Sequence, residues 1–204
     1  MSKLLLINTP QYDYVYGTFG KGEENYNQEQ AQIVISNIYD KVLCDYVFMR
    51  DVEVIGVVVD FFPISNRVFL DEEQKPHCLS FSQGSSIVEK IADNLHFQQT
   101  CALKKLPKND TQTYERSVLD NFDSAKFIID LLDPKNPIEI DSVYICGISY
   151  DNSVYETIRL LNEFYPSRNI HIISDLIWSN KPNELHQITE LAQINDIQQH
   201  NFCN

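Results

Sequence analysis

Cations are scarce in this chain. Its 204 residues hold 16 Lys and Arg against 29 Asp and Glu, a formal net charge of −13. Polyanion binders need clustered Lys and Arg to displace counterions, so the deficit speaks against nucleic acid as a partner. It speaks equally against an anionic membrane surface. Paired cysteines are lacking too. The five present (Cys44, Cys78, Cys101, Cys146 and Cys203) are odd in number and contain no CxxC spacing, which excludes a disulfide framework or a thiolate zinc site and points to a reducing, cytoplasmic setting. Long apolar runs are missing as well. The longest interior run, residues 54–59, falls far short of the ~20 residues that span a bilayer. The N-terminal run 4–7 is too short for a secretory core and ends at Asn8. Export by a specialised secretion system would leave the same pattern. There is no internal repeat or linker, and the frequent Asn and Gln are dispersed.

What is present suits a single globular domain spanning 1–204, with 43% hydrophobic and 22% charged residues. Short β-rich runs alternate with helical periods. Strands are expected at 3–7, 52–59, 100–106, 141–148, 169–174 and 196–202. Helices are expected at 28–44, 85–95, 114–132, 151–165 and 182–192, the 114–132 helix being stopped by Asp133-Pro134 and Asn136-Pro137. Such alternation predicts an α/β fold: a three-layer αβα sandwich around a central parallel, doubly wound sheet of about six strands. The stretch 60–84 is the one long connection without regular periodicity.

In open α/β sheets ligands sit beyond the carboxyl ends of the strands. That singles out Asn8, Asp60, Lys105 and the segment 147–153. Several pieces in those places resemble one family. Leu4-Leu5-Leu6-Ile7-Asn8-Thr9-Pro10-Gln11 is similar to the first strand of the isochorismatase-like cysteine hydrolases, which ends in Asp followed by Gln. The run from Val143 to Val154 resembles their Gly-hydrophobic-Ala-Thr-Asp-x-Cys-Val elbow. Asp60 to Phe69 resembles the Asp-Trp-His-Pro-x-x-His-x-Ser-Phe segment of the nicotinamidase/pyrazinamidase branch. Lys75-Pro76-His77-Cys78-Leu79, with Gly84 after it, is similar to that branch's Pro-x-His-Cys-Val motif. Lys105, with Tyr114 nine residues on, resembles its Lys-Gly…Tyr-Ser-Ala-Phe segment. The order and spacing hold over nearly the whole chain.

The resemblance implies an Asp–Lys–Cys triad, in which a thiolate attacks an amide carbonyl, Asp takes a proton and Lys tunes it. The matching residues here are Asn8, Lys105 and Ser153, so two of the three have changed. It also implies a divalent metal, at Asp60, Phe62, Asn66 and His77. Only Asp60 and His77 remain good donors, a weak and incomplete set, so no cofactor is expected beyond a residual metal at these two. Tyr14, Phe61 and Ser149 match the ligand pocket, while Gln74 replaces a Trp. The resemblance further implies a homo-oligomer.

Each residue also has a plain structural role open to it. Ser153 and Asp151 can cap a helix, and Lys105 shares its surroundings with Lys104 and Lys108. Asp60 can close a loop, and Cys146 and Cys78 fit as small core residues. Three functions follow. The first is a hydrolase fold that has lost or nearly lost catalysis and binds a small molecule or a protein. The second is an active hydrolase of amide or related C–N bonds, with Ser153 as nucleophile and Lys105 as base. The third is a protein-interaction module.

Overall fold

Period-two alternation decides which layer each strand residue enters. In the computed structural model, which describes residues 2–17, 27–60, 78–79, 81–95, 100–105, 140–148, 153–164, 169–178 and 198–199, β1 (Lys3–Asn8) is the centre of a parallel sheet. Its neighbours are β2 (Val52–Asp60) and β4 (Ser142–Ile148), with β3 (Thr100–Lys105) outside β2 and β5 (Asn169–Trp178) and β6 (Gln198–Gln199) outside β4. All five pairings are parallel, in the order β3-β2-β1-β4-β5-β6. The chain moves outward from β1 to β3, then returns to lay β4 on the other side of β1. The strand order therefore switches direction between β1 and β4.

Leu5, Ile7, Ile55, Val57, Cys146 and Ile148 face one side. There they meet α1 (Tyr12–Val15), α2 (Gln28–Ile38), α3 (Tyr46–Met49) and α4 (Glu89–Ala92), through Val15, Ala31, Ile35, Ile38, Phe48 and Ile91. Leu4, Leu6, Val54, Val58, Val143 and Ile145 face the other side. They meet Val154, Ile158 and Leu161, spaced one turn apart along α5 (Tyr155–Phe164) and its entry. Each fully buried Leu or Ile contributes about 1.5–3 kcal/mol. Leu4 to Ile7 are all fully buried because both faces of the sheet are covered, which is why β1 reads as a continuous apolar run. Two of the helices are capped from the sequence: Asn27 accepts from Gln30 N, and Asp45 from Val47 N and Phe48 N.

Three boundaries differ from the periodicity. Helical winding over 28–44 continues, but as a wider turn over Tyr39–Leu43, in which Cys44 N bonds the Tyr39 carbonyl five residues back. The expected helix at 85–95 keeps only Glu89–Ala92. Its first residues pair instead with the chain after β1: Tyr12 N bonds Ser86 O, Val88 N bonds Pro10 O, and Gln11 bridges Ile87. The fifth strand runs past 174 to Trp178. Between Ile172 and Ile177 it takes five steps while β4 takes two, from Ile145 to Gly147. Ser174 and exposed Asp175 sit in that bulge and interrupt the apolar signal. The helices expected at 114–132 and 182–192 lie outside the described residues. Among the described residues, no helix is long and apolar enough to cross a membrane.

Candidate functional site

The switch point lies at the carboxyl ends of β1 and β4, where Asn8 and Gly147 are register partners. Gly147 has φ +120°, and a Cβ there would overlap the Asn8 backbone. A residue with a side chain would hold β4 away from Asn8, so the glycine permits the close approach.

Asn8 is fully buried. Its Nδ2 donates to the Cys146 carbonyl at 3.2 Å. Its Oδ1 accepts from Ser153 Oγ at 3.3 Å and from Thr157 Oγ1 at 3.1 Å. The Cys146 carbonyl fixes the amide orientation, because a flipped amide would set two oxygens against each other. Thr157 Oγ1 also reaches the Ser153 carbonyl at 2.8 Å, one helical turn back. Its single proton is shared, with the shorter bond holding the larger part. Ser153 and Thr157 are 5% and 4% exposed. Strand β1, strand β4 and the start of α5 are thus joined by one buried, neutral network.

The sequence-derived residues divide. Asn8 and Ser153 come together. Lys105 ends β3, opposite Asp60 at the end of β2. Both lie on the same carboxyl edge of the sheet, and their backbone alone is described. Lys105 is two strands away from Asn8 and two residues further along, since Asn8 pairs with Val58 and Lys105 with Asp60. At the usual strand spacing that is about 10 Å sideways. Tyr14 is buried on α1 within the core facing α2. Phe61, Phe62, Asn66, Gln74, His77, Tyr114, Ser149 and Asp151 lie outside the described residues. Among the described residues, no three of His, Cys, Asp and Glu gather as a metal-binding group.

The buried cysteines are inert in position. Cys146 is fully buried, burial pushes its thiol far up from the ordinary value, and its Sγ contacts the Leu6 carbonyl at 3.8 Å. Cys78 lies beside a different polar centre. Its backbone N donates to Asp13 Oδ2 at 2.6 Å, and Gly84 and Gly17 press so closely on the Asp13 carboxylate that a Cβ on either would overlap it. Gln11 Nε2 adds a bond to the Ser85 carbonyl at 3.0 Å. Together these fasten the segment around 78–88 onto the start of α1.

Two site residues escape a reading of the sequence. Thr157 carried a usable signal, because it stands four residues after Ser153 and so shares its helix face. Thr9 carried none. Its backbone has φ +41°, and its Oγ1 is buried without a hydrogen-bond partner.

No family model and no curated protein matches the chain. Solved structures do. A nicotinamidase/pyrazinamidase from Bacillus subtilis superposes with a TM-score of 0.71 at 14% identity, covering 98% of this chain and 100% of that one. A pyrazinamidase of Pyrococcus horikoshii, solved in complex with zinc, gives 0.69 at 17% identity, covering 98% and 99%. An isochorismatase family protein from Desulfovibrio vulgaris gives 0.66 at 13% identity, covering 98% and 94%. Together with the parallel sheet and its switch point at Asn8, these likenesses give the chain the α/β fold of the nicotinamidases, pyrazinamidases and isochorismatase-family proteins.

Proposed function

We infer that this chain is a non-catalytic protein on a cysteine-hydrolase fold, whose switch-point crevice binds a small molecule without turning it over. The observation that carries this reading is the hydrogen bond from Ser153 Oγ to Asn8 Oδ1. A hydroxyl becomes a nucleophile when a base takes its proton. Here the acceptor is a primary amide oxygen, which has no useful proton affinity near neutral pH. The hydrolase pattern puts Asp and Cys at these two positions. A carboxylate can accept the proton and a thiol loses it readily, whereas Asn8 and Ser153 do neither. The two substitutions also fit each other, because the hydroxyl satisfies the amide.

A Ser–Lys hydrolase needs the Lys105 amine at Ser153 Oγ. The Ser153 proton is already directed at Asn8, which favours the non-catalytic reading. The metal implied by the family resemblance fits poorly. Phe62 has no donor atom and Asn66 only a weak one, leaving Asp60 and His77. Zinc and iron sites take three or more strong donors, so no step is routed through a metal. A cytoplasmic, self-associating protein of one domain completes the proposal.

The test is nicotinamide hydrolysis, followed as nicotinate and ammonia. The purified protein should release neither above the buffer rate. Release that disappears in Ser153→Ala would overturn the reading in favour of a serine hydrolase.

A further inference from the structure

Among the described residues, the large apolar side chains left exposed are Tyr16, Ile33, Tyr46, Val47 and Phe81. Phe81 is the extreme, at 97% exposure, and its backbone has φ +63°. Ser82 N bonds the Leu79 carbonyl at 2.9 Å, closing a turn in which Phe81 is the third residue. Positive φ at that place is what a type II turn requires, and glycine or asparagine ordinarily fills it. A Phe there carries a backbone cost, while its ring gains almost nothing from burial within this chain. The turn is also braced. Ser82 Oγ donates to the Leu79 carbonyl at 2.7 Å, and Ser85 Oγ to the Ser82 carbonyl at 2.8 Å. The Asp13 carboxylate, which takes the Cys78 N–H and is flanked by Gly84, ties the segment to the start of α1. The ring is thus presented on a rigid support, which lowers the ordering cost of binding.

Two further observations say what covers it. Tyr16 and Ile33 are carried by segments joined to this one: Gly17, beside Tyr16, flanks the Asp13 carboxylate together with Gly84, and Gln32, beside Ile33, donates to the Val15 carbonyl at 3.1 Å. The second observation is charge. From Pro76 to Val88 there is no Asp, Glu, Lys or Arg, in a chain that is 22% charged with a net charge of −13. Interface cores are depleted of charge and enriched in aromatic rings. A basic partner would be drawn to the acidic parts of the surface, whereas a partner as acidic as this chain meets least repulsion where charge is absent. A second copy is such a partner. We propose that the braced turn at Phe81 is the centre of a two-fold contact between two copies of this chain, with Tyr16 and Ile33 toward its rim. This names the surface for the self-association proposed above and rests on that reading. A contact that uses the same patch on both copies closes as a dimer.

The test is sedimentation velocity on the full chain, from low to high micromolar concentration. Wild type should pass from monomer to dimer. Phe81→Gly removes the ring and suits the backbone, so it should keep the wild-type circular-dichroism spectrum and weaken dimerisation at least about tenfold. Gln83→Glu is close to isosteric at an exposed position and sets like charges into the contact from both copies. It should weaken the dimer at low salt and recover as salt screens the repulsion. Tyr46→Ser, which removes an exposed ring on α3 beside the amino end of β2, should dimerise as wild type does. A dimer unchanged in Phe81→Gly or in Gln83→Glu would overturn this surface and leave self-association standing. So would an equal loss in Tyr46→Ser. A wild type that stays monomeric throughout would overturn the surface and the self-association reading together, and would leave the turn at Phe81 to a different protein.

Discussion

Restoring the hydrolase acid should injure the protein at neutral pH. Asn8→Asp exchanges an amide for a carboxyl at a fully buried position. The Nδ2 bond to the Cys146 carbonyl, 3.2 Å long, then has no donor unless the acid stays protonated. Ionised, it would set a carboxylate oxygen against that carbonyl, out of water and with only the Ser153 and Thr157 hydroxyls to offset the charge. Both effects raise the folded-state pKa above the unfolded value of about 3.9. A rise of about two units costs about 2.7 kcal/mol once the pH exceeds both values, at 1.36 kcal/mol per unit. The sign is set by linkage: between the two pKa values the unfolded chain has released its proton and the folded chain has not, so stability falls as pH rises. Below pH ~4 the protonated acid can donate to Cys146 O much as the amide does, and the variant should approach the wild type. For a chain near 200 residues, each kcal/mol moves the melting temperature by about 2–4 °C, so a deficit of about 5–11 °C is expected at pH 7 and little at pH 4. Circular-dichroism melts of both proteins from pH 4 to pH 8 measure it. Equal or greater stability of Asn8→Asp at pH 7 would refute the reasoning. It would mean that a cation, with Lys105 the first candidate, reaches the position 8 side chain.

Thr157→Val should cost about 1–2 kcal/mol by removing a donor from Asn8 Oδ1 and from the Ser153 carbonyl, read as a shift in denaturant midpoint at unchanged m-value. Gly84→Ala places a methyl on the Asp13 carboxylate; a loss of about 2–4 kcal/mol is expected, and an unchanged melting point would show that the 78–88 segment is not fastened there. In the native protein, iodoacetamide followed by peptide mapping should label exposed Cys44 and spare buried Cys78 and Cys146, the last also because its thiol is pushed up by burial. Rapid labelling of Cys146 would contradict the covered sheet face.

The layers of the fold were legible because burial on both faces writes itself into composition. Leu4 to Ile7 and residues 54–59 carry no charged or polar side chain because each alternate residue meets a different helix layer. The switch point followed from the order of elements alone. Signals failed where one segment's hydrogen bonds go to a distant one. Nothing within 85–88 tells that those residues will bond to Pro10 and Tyr12. The bulge at Ser174 and Asp175 looks like a strand end, because polar residues are tolerated there only when the opposite strand is skipped. At the site, the pairing of Asn8 with Ser153 could be reached from the motifs. Thr9 could not, since its strain is imposed by Val58 and Val88 from two other parts of the chain.

The way Asn8 is held bears on how such a site stays folded. A buried Asp beside a thiol or hydroxyl is a costly arrangement, kept stable by counter-charges and justified by the chemistry it performs. An amide in place of the acid removes the charge, keeps an oxygen acceptor for neighbouring hydroxyls and adds a donor for a neighbouring carbonyl. In this chain the amide satisfies three groups on two elements at once: the Cys146 carbonyl on one side and the hydroxyls of Ser153 and Thr157 on the other. The substitutions at 8 and 153 are therefore coupled, and their effects should not add. Asn8→Asp with Ser153→Cys would restore two triad identities but still place Thr157 against the new carboxylate, where its bond favours the ionised form and works against the burial that raises the pKa.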